Sequence, residues 1–235
     1  MKQILKKILK EIGWIGFVYR ASYKLGFITM IPSMYIRNIP VCENEDILVK
    51  ISSLGANRIV VSCPEERGVL VRKSVLDKLV VASSMLPPDL KLFIRYGYRS
   101  VCVQKKFWND VCVEVKQKNP DFTPDEVESL ARKYSALPNG NGPHQTGGAV
   151  DVLIVDKNGN FLDFGSEYCA HNDATPMYTK SINTEQQKQR KQLRKIMQSV
   201  GFSYYPGEWW HYSFGDQMWA AYTGRKCAIY GPAKK

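Results

Sequence analysis

The run Ala149-Val-Asp-Val-Leu-Ile-Val155 constrains this chain more than any other stretch. A largely apolar run rich in β-branched residues, preceded by two glycines and followed by an Asp/Asn/Gly turn, reads as a strand buried in a sheet. Yet its third residue is a carboxylate, and an unpaired charge in a protein interior costs several kcal/mol. Asp151 therefore requires a cation or strong hydrogen-bond donors beside it. Gly147 and Gly148 permit a tight turn just before the strand, so that His144 can face the same point as Asp151.

The chain has only three histidines. A second one lies in Gly207-Glu-Trp-Trp-His211, beside another carboxylate. His144, Asp151 and His211 make two imidazole nitrogens and one oxygen, a set that leaves the fourth tetrahedral position of zinc open to water. Three protein ligands and an open position mark catalytic zinc, whereas structural zinc is closed by four. We expect one Zn2+ per chain. Glu208 is the expected proton acceptor for the water, with Trp209 and Trp210 walling the pocket. Strand alternation alone would put positions 208 and 211 on opposite faces, so a bend at Pro206-Gly207 is expected to swing Glu208 over the metal. Arg99, in Tyr96-Gly-Tyr-Arg99, follows a strand and could present its guanidinium to a developing oxyanion. These residues read as a metallopeptidase.

The remaining pattern is α+β. Ile59–Ser62 and Leu92–Tyr96 read as strands. Helices are expected from Ser74, as cap, to Met85; from Val101 to about Lys118; and from the box Thr123-Pro-Asp-Glu126 to about Tyr134. Thr184 with Gln187 opens a further helix that Gly201 stops, and Trp209–Phe214 is the last strand. Residues 137–146 read as the loop that delivers His144. The expected architecture is a small mixed or antiparallel sheet flanked by helices, with residues 1–40 as an N-terminal extension and 41–235 as the catalytic domain. Within the extension, Ile4, Leu5, Ile8, Leu9 and Ile12 fall on one face of a helix and Lys2, Lys6, Lys7 and Lys10 off it.

A net charge of +11 invites a nucleic-acid partner. The basic residues are spread along the chain without a nucleic-acid motif, so none is expected. The excess reads mostly as a solvated face, with weak association with a membrane surface or cell wall as the alternative, and the basic N-terminal helix is expected to pack on the domain rather than rest on a membrane. No run reaches the roughly 18 apolar residues of a membrane span, and no small-x-small cleavage site follows the basic N-terminus. A cytoplasmic location is expected, with export as the alternative. Six scattered cysteines form no C-x-x-C pair and read as reduced, partly buried thiols.

Taken in order, Tyr96-Gly-Tyr-Arg99, His144-x-x-x-Gly148-x-x-Asp151 and Glu208-Trp-Trp-His211 resemble the zinc D-alanyl-D-alanine dipeptidases. These belong with the hedgehog/D,D-peptidase-like zinc peptidases and include the enzymes of vancomycin resistance. The resemblance covers roughly residues 50–230. It implies His144, Asp151 and His211 as zinc ligands, Glu208 as general base and Arg99 as transition-state stabiliser. It also implies a small cavity that admits a dipeptide and acts on the supply of peptidoglycan precursor. Gly142 stands where several members carry serine, and Gln145-Thr146-Gly147 replaces the Ser-Arg-Gly of the resistance enzymes. His171 lies where members also carry histidine, with a structural or loop-positioning role expected. Alternatives are a D,D- or L,D-carboxypeptidase or endopeptidase on stem peptides, and a zinc-stabilised binding module without turnover.

Overall fold

The protein is described by a computed structural model covering residues 2–51, 58–62, 68–132, 134–138, 142–170 and 172–233, with side chains from residue 13 onward. His171 and Cys63 fall outside the described residues, as do the side chains of the amphipathic pattern at residues 1–12.

Helix α1 (Lys2–Lys24) and the short α2 (Ser33–Arg37) precede strands β1 (Leu48–Ile51), β2 (Ile59–Val61) and β3 (Val69–Arg72). Helix α3 (Lys73–Ser84), strand β4 (Leu90–Tyr96), and helices α4 (Val101–Lys118) and α5 (Pro124–Ala131) follow. The second half holds β5 (Ala149–Asp156), α6 (Thr184–Ser199), β6 (Ser203–Tyr204), β7 (His211–Ser213) and α7 (Gln217–Thr223). Five strands form a mixed sheet in the order β2-β4-β5-β7-β6, and β1 and β3 form a separate antiparallel pair. Only β2 and β4 run parallel within the larger sheet. The expected α+β class with a small sheet flanked by helices is the one observed.

Strand β5 is central and buried over all but its last residue. Because side chains alternate along a strand, Val150, Val152 and Ile154 share one face with Leu92 and Ile94 of β4. That face meets Val75, Leu79 and Ala82 of α3 and Leu193, Ile196 and Met197 of α6 in the main core. Asp151 and Leu153 point to the other face, beside Tyr96 and Phe93. Helices α3 and α6 therefore cover one side of the sheet, and the carboxylate faces away from them.

Several local expectations shift. Helix α3 starts at Lys73 rather than being capped by Ser74; its preceding residue Arg72 makes no side-chain cap. Instead the Ser74 amide donates to Asp46 Oδ2 at 3.0 Å, so a distant carboxylate serves the first turn. The box of α6 is Asn183 with Gln186, one residue earlier than expected, because Asn183 Oδ1 accepts from the Gln186 amide at 2.9 Å. Thr123 and Glu126 do form the box of α5, which ends at Ala131, short of Tyr134. Residues 209–210 form a turn, so the strand carrying His211 is only three residues long. The five described cysteines are free, and Cys42, Cys102 and Cys169 are exposed rather than partly buried.

Arg190 of α6 is 2% exposed and fastens the segment that crosses the open face of the sheet. Its guanidinium donates to the carbonyls of Phe164, Pro176 and Ala174, each at 2.7 Å. Burial pulls its pKa down to about 10. Arg190→Met leaves three acceptors without a donor. At roughly 1 kcal/mol for each, it is expected to cost about 3 kcal/mol, read as a lower urea midpoint at unchanged slope.

Candidate metal centre

Three neighbouring strands place the centre. Asp151 pairs in register with Tyr96 on one side and His211 on the other. The register between β4 and β5 shifts between Ile94 and Tyr96, just before Gly97, whose carbonyl faces His144. His144 arrives on a short 3-10 helix, Pro143–Thr146, where a plain loop was expected. Gly147 then adopts φ +74°, a left-handed conformation that L side chains rarely take. At Gly148 a Cβ would meet the Phe214 carbonyl oxygen at 2.3 Å, so only glycine lets β5 begin this close to β7. The glycine pair thus brings His144 back over Asp151.

His144 Nε2 and His211 Nδ1 each stand 3.3 Å from Asp151 Oδ1. Ligands around a tetrahedral zinc, with bonds of about 2.0–2.1 Å, sit about 3.3–3.4 Å apart. The three donor atoms lie within 4.8 Å of one another, and all three residues are buried. Asp151 Oδ1 is buried with no hydrogen-bond partner, the state of an oxygen shaped for a cation. The other imidazole nitrogens are held from outside. His144 Nδ1 lies 2.8 Å from the Gly97 carbonyl, which can only accept, so Nδ1 carries the proton and Nε2 offers its lone pair inward. His211 Nε2 lies 3.3 Å from Ser213 Oγ, leaving Nδ1 inward. Donor types, spacing and this outer support fit a zinc ion.

Electrostatics agree with the geometry. Burial alone would raise the Asp151 carboxyl, but His144 and His211 hold it well below the ordinary range. Burial lowers His144. His211 is raised against the pull of burial, chiefly by its contact with Asp151. Glu208 follows a turn at Pro206–Gly207, and its Oε2 lies 3.9 Å from His211 Nδ1. Burial pushes its carboxyl up to about 7, with His211 pulling the other way. Arg99 Nη2 is 3.8 Å from Asp151 Oδ2. Its guanidinium stacks 4.3 Å from the Phe107 ring centre and donates to Gln104 Oε1 at 3.2 Å.

All five residues singled out in the sequence are therefore brought to one place. Two helpers were not expected. Tyr168 donates to Asp151 Oδ2 at 2.7 Å. Gln104, buried in α4, steadies Arg99 while its own amide donates to Ser135 and to the Ala136 carbonyl. Neither carries a sequence signal, because a tyrosine in an irregular segment and a glutamine in a helix are ordinary there.

The fold and ligand set define a hydrolase of the metallopeptidase class. The family model described as D-ala-D-ala dipeptidase matches residues 55–227. A D-alanyl-D-alanine dipeptidase of Synechocystis sp. is 31% identical over 192 residues, covering 70% of this chain and 76% of that protein. The D-alanyl-D-alanine dipeptidase of Enterococcus faecium is 28% identical over 94 residues, 40% of this chain and 45% of its own length. A looser likeness, at 16% identity and TM-score 0.49, covers 82% of this chain and 91% of a vancomycin resistance D,D-pentapeptidase solved with Zn(II). The chain belongs to the D-Ala-D-Ala dipeptidase family.

Two outcomes follow from this geometry. Tyr168→Phe removes the donor to Asp151 and is expected to weaken zinc affinity about 10-fold, measured by competition with a chromogenic chelator. In metal-free protein the folded pKa of Glu208, about 7, lies above its ordinary 4.5. The folded state then holds the proton more tightly, so stability is full below the ordinary value and falls as pH rises through 7. Glu208→Gln, which carries no charge, should melt higher than the metal-free parent at pH 8, with a much smaller gap at pH 5.

Proposed function

We propose that this protein hydrolyses the dipeptide D-alanyl-D-alanine in a zinc-dependent reaction, which draws down a precursor of peptidoglycan stems. The observation that carries the reading is the convergence of His144, Asp151 and His211 on one point, with Glu208 and Arg99 at its edge. Membership of a family whose model is described as D-ala-D-ala dipeptidase supports the choice of substrate.

His144, Asp151 and His211 would hold the ion. Zinc bound there would supply Lewis-acid polarisation of the peptide carbonyl and make water more acidic, toward a pKa of about 7. Glu208, its carboxyl raised to about 7 by burial, is matched to accept a proton from the attacking water near neutral pH. It then passes that proton to the leaving amine nitrogen. Arg99 keeps a positive charge beside the centre, where negative charge grows on the carbonyl oxygen. Phe107 and Gln104 fix the guanidinium so that it need not reorganise during the reaction. Tyr168 holds the second oxygen of Asp151 and leaves the first free for the ion.

The test is turnover by purified, zinc-loaded protein on free D-Ala-D-Ala and on a stem pentapeptide. Release of alanine from the dipeptide is expected; cleavage of the pentapeptide alone would overturn the substrate, and chelation should abolish the activity. Glu208→Ala should lower kcat by about 10²–10⁴-fold with zinc content intact. Arg99→Ala should lower it by about 10²–10³-fold, again with metal retained.

A further inference from the structure

Helix α1 has two unlike sides. Tyr19 and Tyr23 pack with Trp219, Ala220 and Ala221 in a small core formed with α7, and the Tyr23 hydroxyl meets that of Tyr204 at 2.5 Å. On the side away from this contact the helix shows Trp14, 67% exposed, and Phe17, 57% exposed, their rings stacked with centres 5.8 Å apart. Exposed apolar side chains continue past the helix at Leu25, Phe27, Met30 and Met34. Phe27 and Met34 reach 79% and 77% exposure. Large apolar side chains exposed in such number between Trp14 and Met34 mark an interaction face.

Charge identifies what the face meets. Residues 1–42 carry seven basic side chains (Lys2, Lys6, Lys7, Lys10, Arg20, Lys24 and Arg37) against one acidic side chain, Glu11. Their net +6 leaves +5 for the other 193 residues, so more than half the excess sits in under a fifth of the chain. Two copies meeting through this face would set +6 against +6, which disfavours self-association. Anionic lipid headgroups complement it, and aromatic side chains among lysines suit the boundary between headgroups and acyl chains. Among the described residues no helix is long and apolar enough to cross a membrane. The segment also lies outside residues 55–227, which match the family model.

We propose that α1 and the segment to Met34 dock the enzyme on an anionic lipid bilayer surface, lying in the interface with Trp14, Phe17, Leu25 and Phe27 inserted. The docking does not depend on the chemistry at the metal centre.

Co-sedimentation of the full chain with vesicles tests it. The protein is expected to pellet with vesicles of phosphatidylcholine and phosphatidylglycerol, and about 10-fold less with phosphatidylcholine alone or in high salt. A W14S/F17S/F27S variant, and separately a K6Q/K7Q/K10Q variant, should each lower the bound fraction about 10-fold while dipeptide turnover in solution stays at the parent level. The lysine variant changes no apolar residue, so it decides the matter if the first variant folds poorly. Failure to pellet with anionic vesicles, equal binding to both compositions, or binding unchanged in the lysine variant would overturn the proposal. So would a parent dimer in sedimentation velocity that the aromatic variant converts to monomer, since the face would then be an interface between copies.

Discussion

A carboxylate in the middle of a buried strand sets the terms for the rest of this molecule. Asp151 lies between Tyr96 and His211 in register, on the face of the sheet that α3 and α6 do not cover. Its charge is unfavourable there unless a cation or donors answer it. Tyr168 and Arg99 answer one oxygen, and the two imidazoles converge on the other. The ligands, the segment bearing Tyr168 and the helix that locks that segment through Arg190 all serve this one group.

The surrounding packing explains how a centre drawn from distant parts of the chain stays fixed. Trp209 stacks on Phe164 with ring centres 4.3 Å apart and donates to Ser166 Oγ at 2.9 Å. Phe164 also gives its carbonyl to Arg190. The turn before His211 is thereby joined to the segment crossing the open face, and both rest on α6. Aromatic contacts of this sort add to what burial alone provides. Glu208 is held close by, in surroundings dry enough to raise its proton affinity.

His144, Asp151, His211 and Glu208 were candidates from the chain itself, whereas Arg99 took its weight from the family resemblance. Asp151 interrupts an apolar strand, His144 and His211 are two of only three histidines, and Glu208 and Arg99 stand at the edges of patterned segments. Strand β5 and helices α4 and α5 were legible from hydrophobic runs and capping chemistry. What stayed hidden depends on partners remote in the chain. Helix α3 draws its N-terminal acceptor from Asp46, not from its own serine. Strand β6 is two residues long and exists only because β7 lies beside it. Helix α7, seven residues with no charged side chain, takes its support from the Asp216 cap and from burial of Trp219. Tyr168 and Gln104 are ordinary residues until the fold points them at Asp151 and Arg99.

The end of β4 and the short helix bearing His144 are laced together in both directions. The His144 ring donates to the Gly97 carbonyl at 2.8 Å, and the Arg99 amide donates to the His144 carbonyl at 3.0 Å. One strap of three residues therefore aims an imidazole and seats a guanidinium at the same time. Grip on the ion and placement of the neighbouring positive charge are mechanically a single adjustment, so a change in this backbone retunes both together and neither can drift alone.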